Sequence, residues 1–276
     1  MDENVYDTPT IDEVPQTLFR YYGVSGKRFE YLRQAIVKTE IYFSEINRFN
    51  DPFDCRFQLQ FKERSGFLPK KFWRNEAPRR TGSKAGYERA IRGQIAKTRT
   101  AAGRHELFET FYETVVQSMG VLCLSTVETS VLMWSYYAEG HRGVVLRFDT
   151  SDRMLQQMAE FLPMPVRYAK VFPVLDYYAT DLIERCRTVF GTKSIEWKHE
   201  KEWRLISKQG SGSYPLDPRF ITGLIFGMNI DPDHERQIRE FVKERPAPIP
   251  LFRVQNKSGT FELEVMPVEE GRPKGA

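Results

Sequence analysis

Two glutamates stand two residues apart in WKHEKEWRLI, residues 197–206. In a strand, alternate residues share a face. Glu200, Glu202 and Arg204 then lie together, with Lys201, Trp203 and Leu205 on the opposite side. Neighbouring carboxylates repel, which raises one proton affinity unless a cation or ligand intervenes. Carboxylates held this way can move protons, or stabilise positive charge developing on a substrate. A solvated edge strand, with Arg204 offsetting the charge, fits the same spacing.

Two further segments concentrate polar and aromatic groups. YFSEINRFNDPFD, residues 42–54, closes a short strand at Ser44 and opens into a loop. Asn50 and Asp51 precede Pro52, and the residue before proline is pushed away from helix. The loop offers the Ser44 hydroxyl, the Asn50 amide and the carboxylates of Asp51 and Asp54, on the rigid support of a strand end. An Asx turn would use the same residues structurally. CLS…LMWSYYAEGHRGVVLRF, residues 123–148, crowds Trp134, Tyr136, Tyr137 and His141 around a short helix that stops at Gly140. Tyr and Trp present flat apolar faces to a base or a nicotinamide ring. Trp134 and Met133 also suit ordinary core packing, and a lone histidine such as His141 suits a structural role.

Composition narrows the classes. The 276 residues are 41% hydrophobic and 13% aromatic, which supports a substantial core rather than a disordered chain. No apolar run approaches the roughly 20 residues of a membrane span. The opening MDENVYDTPTIDEVPQ is acidic, unlike a secretory signal, so a cytoplasmic location is the expectation. Cys55, Cys123 and Cys186 are scattered and form no CxxC pair, against a disulfide framework or structural zinc. No metal ligand set is expected. Residues 62–104 carry thirteen Lys/Arg and three Glu, a local +10, so the remainder of this +4 chain is near −6. Such a segment can contact nucleic acid, nucleotide phosphates or an acidic partner, or be a solvated helical insertion. Walker A, GxGxxG, HExxH and GxSxG motifs are absent.

The elements that must position these groups follow from periodicity. Strands are predicted at 18–24, 41–44, 57–61, 121–125, 142–149, 166–172, 197–208, 221–230, 249–255 and 261–268. Helices are predicted at 29–38, 105–119, 130–141, 154–162 and 174–190, with another opened by Asp231 as cap and Pro232 at its first position. Strict βαβ alternation fails, which predicts an α+β fold with a mixed or antiparallel sheet and flanking helices. The expected organisation is an irregular arm over 1–16, one α+β domain over 17–270 with a basic helical insertion at about 62–104, and a tail over 271–276.

Taken together, the strand start at LFRYYG, YFS…FNDPFD, CLS…LMWSYYA…H.G and WK.EKEWR resemble the bacterial domain of unknown function 2971 family, allied to the abortive-infection protein AbiGi. That resemblance implies a phage-defence setting, with a partner chain of a defence or toxin–antitoxin system. The layout is also similar to ADP-ribosyltransferases of the Arg–Ser–Glu type, with their split sheet. This second resemblance implies NAD as substrate and two catalytic carboxylates, Glu202 stabilising the sugar cation and orienting a ribose hydroxyl, and Glu200 polarising the acceptor. Arg20 would hold a phosphate beside Tyr21. Ser125, with Ser44 as rival, would position the nicotinamide ribose. Tyr137 or Tyr42 would stack on nicotinamide, and Asn50, Asp51, Trp134 and His141 would complete the NAD site. The acceptor would be a macromolecule, nucleic acid if residues 62–104 recruit it. Two alternatives stay open: a metal-dependent nuclease using Asp51, Asp54, Glu200 and Glu202, and a non-catalytic sensor or antitoxin-like binding module.

Overall fold

Strands rich in Val, Ile, Leu and aromatic residues form the centre of the molecule, as their composition predicts. The computed structural model describes residues 14–62, 72–73, 83–151, 160–178 and 181–268. Along the chain run β1 (Thr17–Tyr22), α1 (Gly26–Lys38), β2 (Glu40–Phe43), β3 (Gln58–Gln60), α2 (Lys84–Thr98) and α3 (Ala101–Phe111). There follow β4 (Gly120–Ser125), α4 (Val131–Tyr137), β5 (Val144–Asp149), β6 (Phe161–Pro165), β7 (Arg167–Ala169), β8 (Val174–Asp176), α5 (Leu182–Phe190) and β9 (Thr192–Ser194). The chain continues with β10 (Glu202–Ser207), β11 (Gly212–Pro215), β12 (Ile221–Phe226), α6 (Pro232–Lys243), β13 (Leu251–Asn256) and β14 (Leu263–Pro267).

The main sheet has eight strands in the order β14-β13-β12-β5-β1-β4-β10-β6. All neighbours are antiparallel except the parallel pair β12 and β13. The fold is α+β, as expected. Helices cover both faces. On one, Leu32, Ala35 and Ile36 of α1 and Ile238 of α6 pack with Leu122, Leu124, Trp203 and Leu205. On the other, Phe111 of α3 and Cys186, Val189 and Phe190 of α5 pack with Val121 and Ile206. Alternation along β10 therefore sorts Trp203 and Leu205 into one core, and Ile206 into the other.

The sheet parts in its middle. β1 pairs with β5 over six positions but meets β4 at one alone, Phe19 opposite Ser125. Beyond that point β4 turns to another partner. Ser44, just past β2, exchanges two backbone hydrogen bonds with Val121, at 2.8 and 2.9 Å. These bonds satisfy backbone groups of β4 that β1 leaves unpaired.

Three predicted elements are corrected. Residues 174–190 are not one helix: β8 pairs in parallel with β3, and α5 starts only after Asp181, whose carboxylate accepts from the Ile183 and Glu184 amides. That cap divides a segment whose apolar spacing reads as continuous. Residues 197–208 are not one strand: a 3₁₀ turn runs Ile195–Glu200, and Lys201 is left-handed at φ 44° before β10 begins. The helix expected over 154–162 falls mostly on residues outside those described, and Phe161 and Leu162 belong to β6. Within the basic segment, α2 is helical and continues into α3, while residues 63–71 and 74–82 lie outside the described residues. So do residues 1–13 of the expected arm and the tail from 269 onward. The capped helix at Asp231 and Pro232 forms as predicted.

Candidate active site

A cleft of about 300 Å³ opens where β1 and β4 part. Its volume is at the lower end for small-molecule pockets, roughly 300–1,000 Å³. Arg20 reaches it from β1, Ser125 from the end of β4, Asn50 and Asp54 from the loop after β2, and Tyr137 from α4. Lys193, Glu200 and Glu202 line its depth. The exposed Arg28 and Arg48 add two cations to Arg20.

The depth of the cleft is an ionic cluster, almost wholly buried. The Arg204 guanidinium, fully buried in β10, donates from Nε to Glu202 Oε1 (2.8 Å) and from Nη2 to Asp54 Oδ2 (2.7 Å) and Glu202 Oε2 (3.0 Å). Its Nη1 donates to the Phe190 carbonyl at 3.0 Å. The Lys193 ammonium donates to Glu202 Oε2 at 3.0 Å and to Glu200 Oε2, and lies 3.6 Å from Asp54 Oδ2. Three carboxyl groups thus meet two cations. The third carboxyl, Glu200, turns its other oxygen to the Tyr137 hydroxyl, which donates at 2.5 Å and accepts from Asn50 Nδ2 at 3.2 Å.

Local backbone geometry sets this up. The left-handed Lys201 reverses the chain, so that Glu200 returns to the same ammonium as Glu202 although only Glu202 is in the strand. The Ser125 hydroxyl donates to the Glu200 carbonyl at 2.6 Å and accepts from the Val127 amide at 3.1 Å. The Glu202 amide donates to the Tyr168 hydroxyl at 2.8 Å. Trp197, in the 3₁₀ turn, donates its indole N–H to Asp51 Oδ2 at 2.8 Å.

The two glutamates titrate in opposite directions. Burial, then the Glu202 charge, push Glu200 up to about 7 against the pull of Lys193. Burial would raise Glu202 too, but Arg204 and Lys193 hold it well below the usual carboxylate range. A proton arriving at the pair settles on Glu200. Carboxylates whose environments drive their proton affinities apart are suited to different roles. Tyr137→Phe removes a hydrogen bond that favours ionised Glu200. Glu200 is then expected to hold its proton to higher pH, moving the alkaline rise of any activity upward; an unshifted pH–rate profile would separate Tyr137 from Glu200.

Of the residues expected at the site, Arg20, Tyr21, Ser44, Asn50, Ser125, Tyr137, Glu200 and Glu202 line the cleft. Arg20 donates to the Tyr42 carbonyl at 3.0 Å, and its guanidinium lies 5.1 Å from the Tyr22 ring centroid. Tyr21 is mostly buried, its hydroxyl donating to the Val127 carbonyl at 2.7 Å. Four residues are elsewhere. Tyr42 stacks on Tyr31, 4.4 Å between centroids. Asp51 makes an Asx contact to the Phe53 amide and holds Trp197. Trp134 is fully buried against Tyr21, with its N–H on the Glu128 carbonyl. His141 lies parallel to Trp134 in a left-handed turn, and burial lowers its proton affinity. Three cationic residues at the cleft were not expected from the sequence, Arg28, Arg48 and Lys193, of which Lys193 is the buried one. Its signal was indirect: two neighbouring carboxylates favour a nearby cation. The described residues hold no group of three His, Cys, Asp or Glu arranged for a metal ion.

No curated protein and no solved structure matches the chain. Residues 133–205, from Met133 in α4 to Leu205 in β10, match the model of a family described as Protein of unknown function (DUF2971). The matched segment is the one that supplies Tyr137, Lys193, Glu200 and Glu202 to the cleft, and Arg204 to the ionic cluster behind them.

Proposed function

We propose that the protein cleaves NAD, as an ADP-ribosyltransferase or NAD glycohydrolase acting as a bacterial toxin or anti-phage effector. One observation carries this reading. The strands bearing Arg20, Ser125 and Glu202 are immediate neighbours, and they surround one cleft at the parting of the sheet. In that cleft the carboxyl groups outnumber the buried cations by one.

The chemistry follows from this charge. Breaking the ribose C1′–nitrogen bond sends its electron pair to nicotinamide, which leaves neutral, and develops an oxocarbenium-like cation on the sugar. A preorganised carboxylate beside C1′ stabilises that cation. Glu200 fills this role, since Glu202 is already neutralised by Arg204 and Lys193. The acceptor hydroxyl, amine or water then bonds to C1′ and gives its proton to Glu200. Arg20, with Arg28 and Arg48, faces the diphosphate, for which a guanidinium fork is well shaped. Tyr137 offers an aromatic face to nicotinamide, and Ser125 fixes the backbone that carries Glu200.

The nuclease alternative loses its ligand set, because Asp51 faces Trp197 while Asp54 and Glu202 are bonded to Arg204. Among the described residues, no helix is long and apolar enough to cross a membrane. The test is mass spectrometry of NAD incubated with the folded protein, with and without protein and nucleic-acid acceptors. Release of free nicotinamide is the expected result; intact NAD in every incubation would overturn the reading and favour a binding module.

A further inference from the structure

A second cleft, of about 360 Å³, also has Lys193 in its lining. Lys193 lines both cavities, so the two adjoin there. At the second cleft stand two aromatic rings that the core does not use. Phe53, in the turn after Pro52, is 66% exposed, and Phe172, between β7 and β8, is 43% exposed. Their ring centroids are 6.5 Å apart and the planes diverge by 32°. Val171 beside them is 61% exposed. Apolar side chains grouped at the surface around a cavity mark a binding site more often than they occur by chance.

The rest of the lining selects the occupant. Arg56 and Lys170 contribute two cations, the Lys193 ammonium being taken up by Glu200, Glu202 and Asp54, and none of the described residues lining the cavity is acidic. Arg56 is held in place, with Nε donating to the Pro52 carbonyl at 3.2 Å and its guanidinium 5.6 Å from the Tyr112 ring centroid. Flat apolar faces combined with cations on one rim suit a ligand that is itself flat, apolar on its faces and polyanionic along its backbone. That is a single-stranded nucleic acid; in a duplex the base faces are covered by stacking.

We propose that this cleft binds a base of a single-stranded nucleic acid on Phe53 and Phe172, with the adjoining phosphates on Arg56 and Lys170. Adjoining the first cleft at Lys193, it would present a neighbouring nucleotide to the NAD-cleaving centre as acceptor. The acceptor role rests on the proposed NAD chemistry; the binding does not.

Fluorescence anisotropy of a labelled oligothymidine with the full chain, without NAD, tests the binding, with a duplex of equal length as control. Wild type is expected to favour the single strand. Phe172→Ala and Phe53→Ala are each expected to weaken binding by about ten-fold, the range of one base–aromatic stack, with Phe172→Tyr retaining most of it. Lys170→Glu is expected to weaken binding and flatten its salt dependence. All are surface changes. No binding by wild type overturns the proposal, as does equal binding by wild type and both alanine variants, which would place the contact elsewhere, as in the basic segment. Preference for a protein acceptor, with no oligonucleotide binding, overturns it as well. Nicotinamide release into water, measured in parallel, is expected to be unchanged in Phe172→Ala. Its absence from wild type, with single-strand binding intact, would end the NAD reading and leave this site standing.

Discussion

Glu200→Gln is expected to give a folded protein that releases nicotinamide from NAD at least about a hundred-fold more slowly than wild type, in kcat rather than KM. Glutamine keeps the shape and an oxygen that can accept from Tyr137 or Lys193, so the packing around it survives. What it loses is the negative charge in excess of the two buried cations. In wild type the rate is expected to rise with pH as Glu200 ionises, around its raised value of about 7. The variant should show no such rise. Equal turnover by the two proteins would remove Glu200 from the chemistry.

The same carboxyl makes a separate prediction for stability. In the unfolded chain a glutamate ionises near pH ~4.3; in the folded protein Glu200 holds its proton to about pH 7. Between those values the folded state binds more protons than the unfolded state, so stability falls as pH rises through that window. Wild type is therefore expected to lose stability from pH 5 to pH 8 relative to Glu200→Gln, as read by urea denaturation. A variant that is less active and, at alkaline pH, more stable is the signature of a group kept for chemistry at a cost to the fold.

Much of the cleft was legible because its groups lie where strands end. The segments around Ser44, Ser125 and Glu202 carry polar residues that a core does not need; the order of β1, β4 and β10 brings the last two beside Arg20, and the Ser44–Val121 bridge adds the first. Other parts were hidden for physical reasons. WKHEKEWRLI alternates as a strand does, yet Lys201 adopts a left-handed turn that periodicity cannot report. Lys193 sits in a three-residue strand, too short for any pattern, and its importance comes wholly from long-range partners. Asp51 and Trp134 have the residue types of a site but spend their polar atoms on Trp197 and the Glu128 carbonyl. Which polar tip faces a ligand and which faces the fold is decided by tertiary contacts, not by residue type.

Arg204→Met is expected to be the most destabilising single change near the cleft. Methionine fills much of the same volume, but Asp54 and Glu202 lose their bonds to the guanidinium, and three carboxyl groups face Lys193 alone. The group removed is fully buried, so water cannot take its place. Breaking one side of a buried ion network costs about 3–5 kcal/mol, because uncompensated charge stays behind. For a chain of this size that corresponds to a fall in Tm of roughly 10 °C. The charge explanation is separable from lost packing. If stranded charge dominates, adding Glu202→Gln to Arg204→Met should recover part of the loss, and the two single changes should sum to clearly more than the double. Additive losses would show that Arg204 serves chiefly by filling space between β10 and the Phe190 carbonyl, and that the carboxylates are held by Lys193 alone.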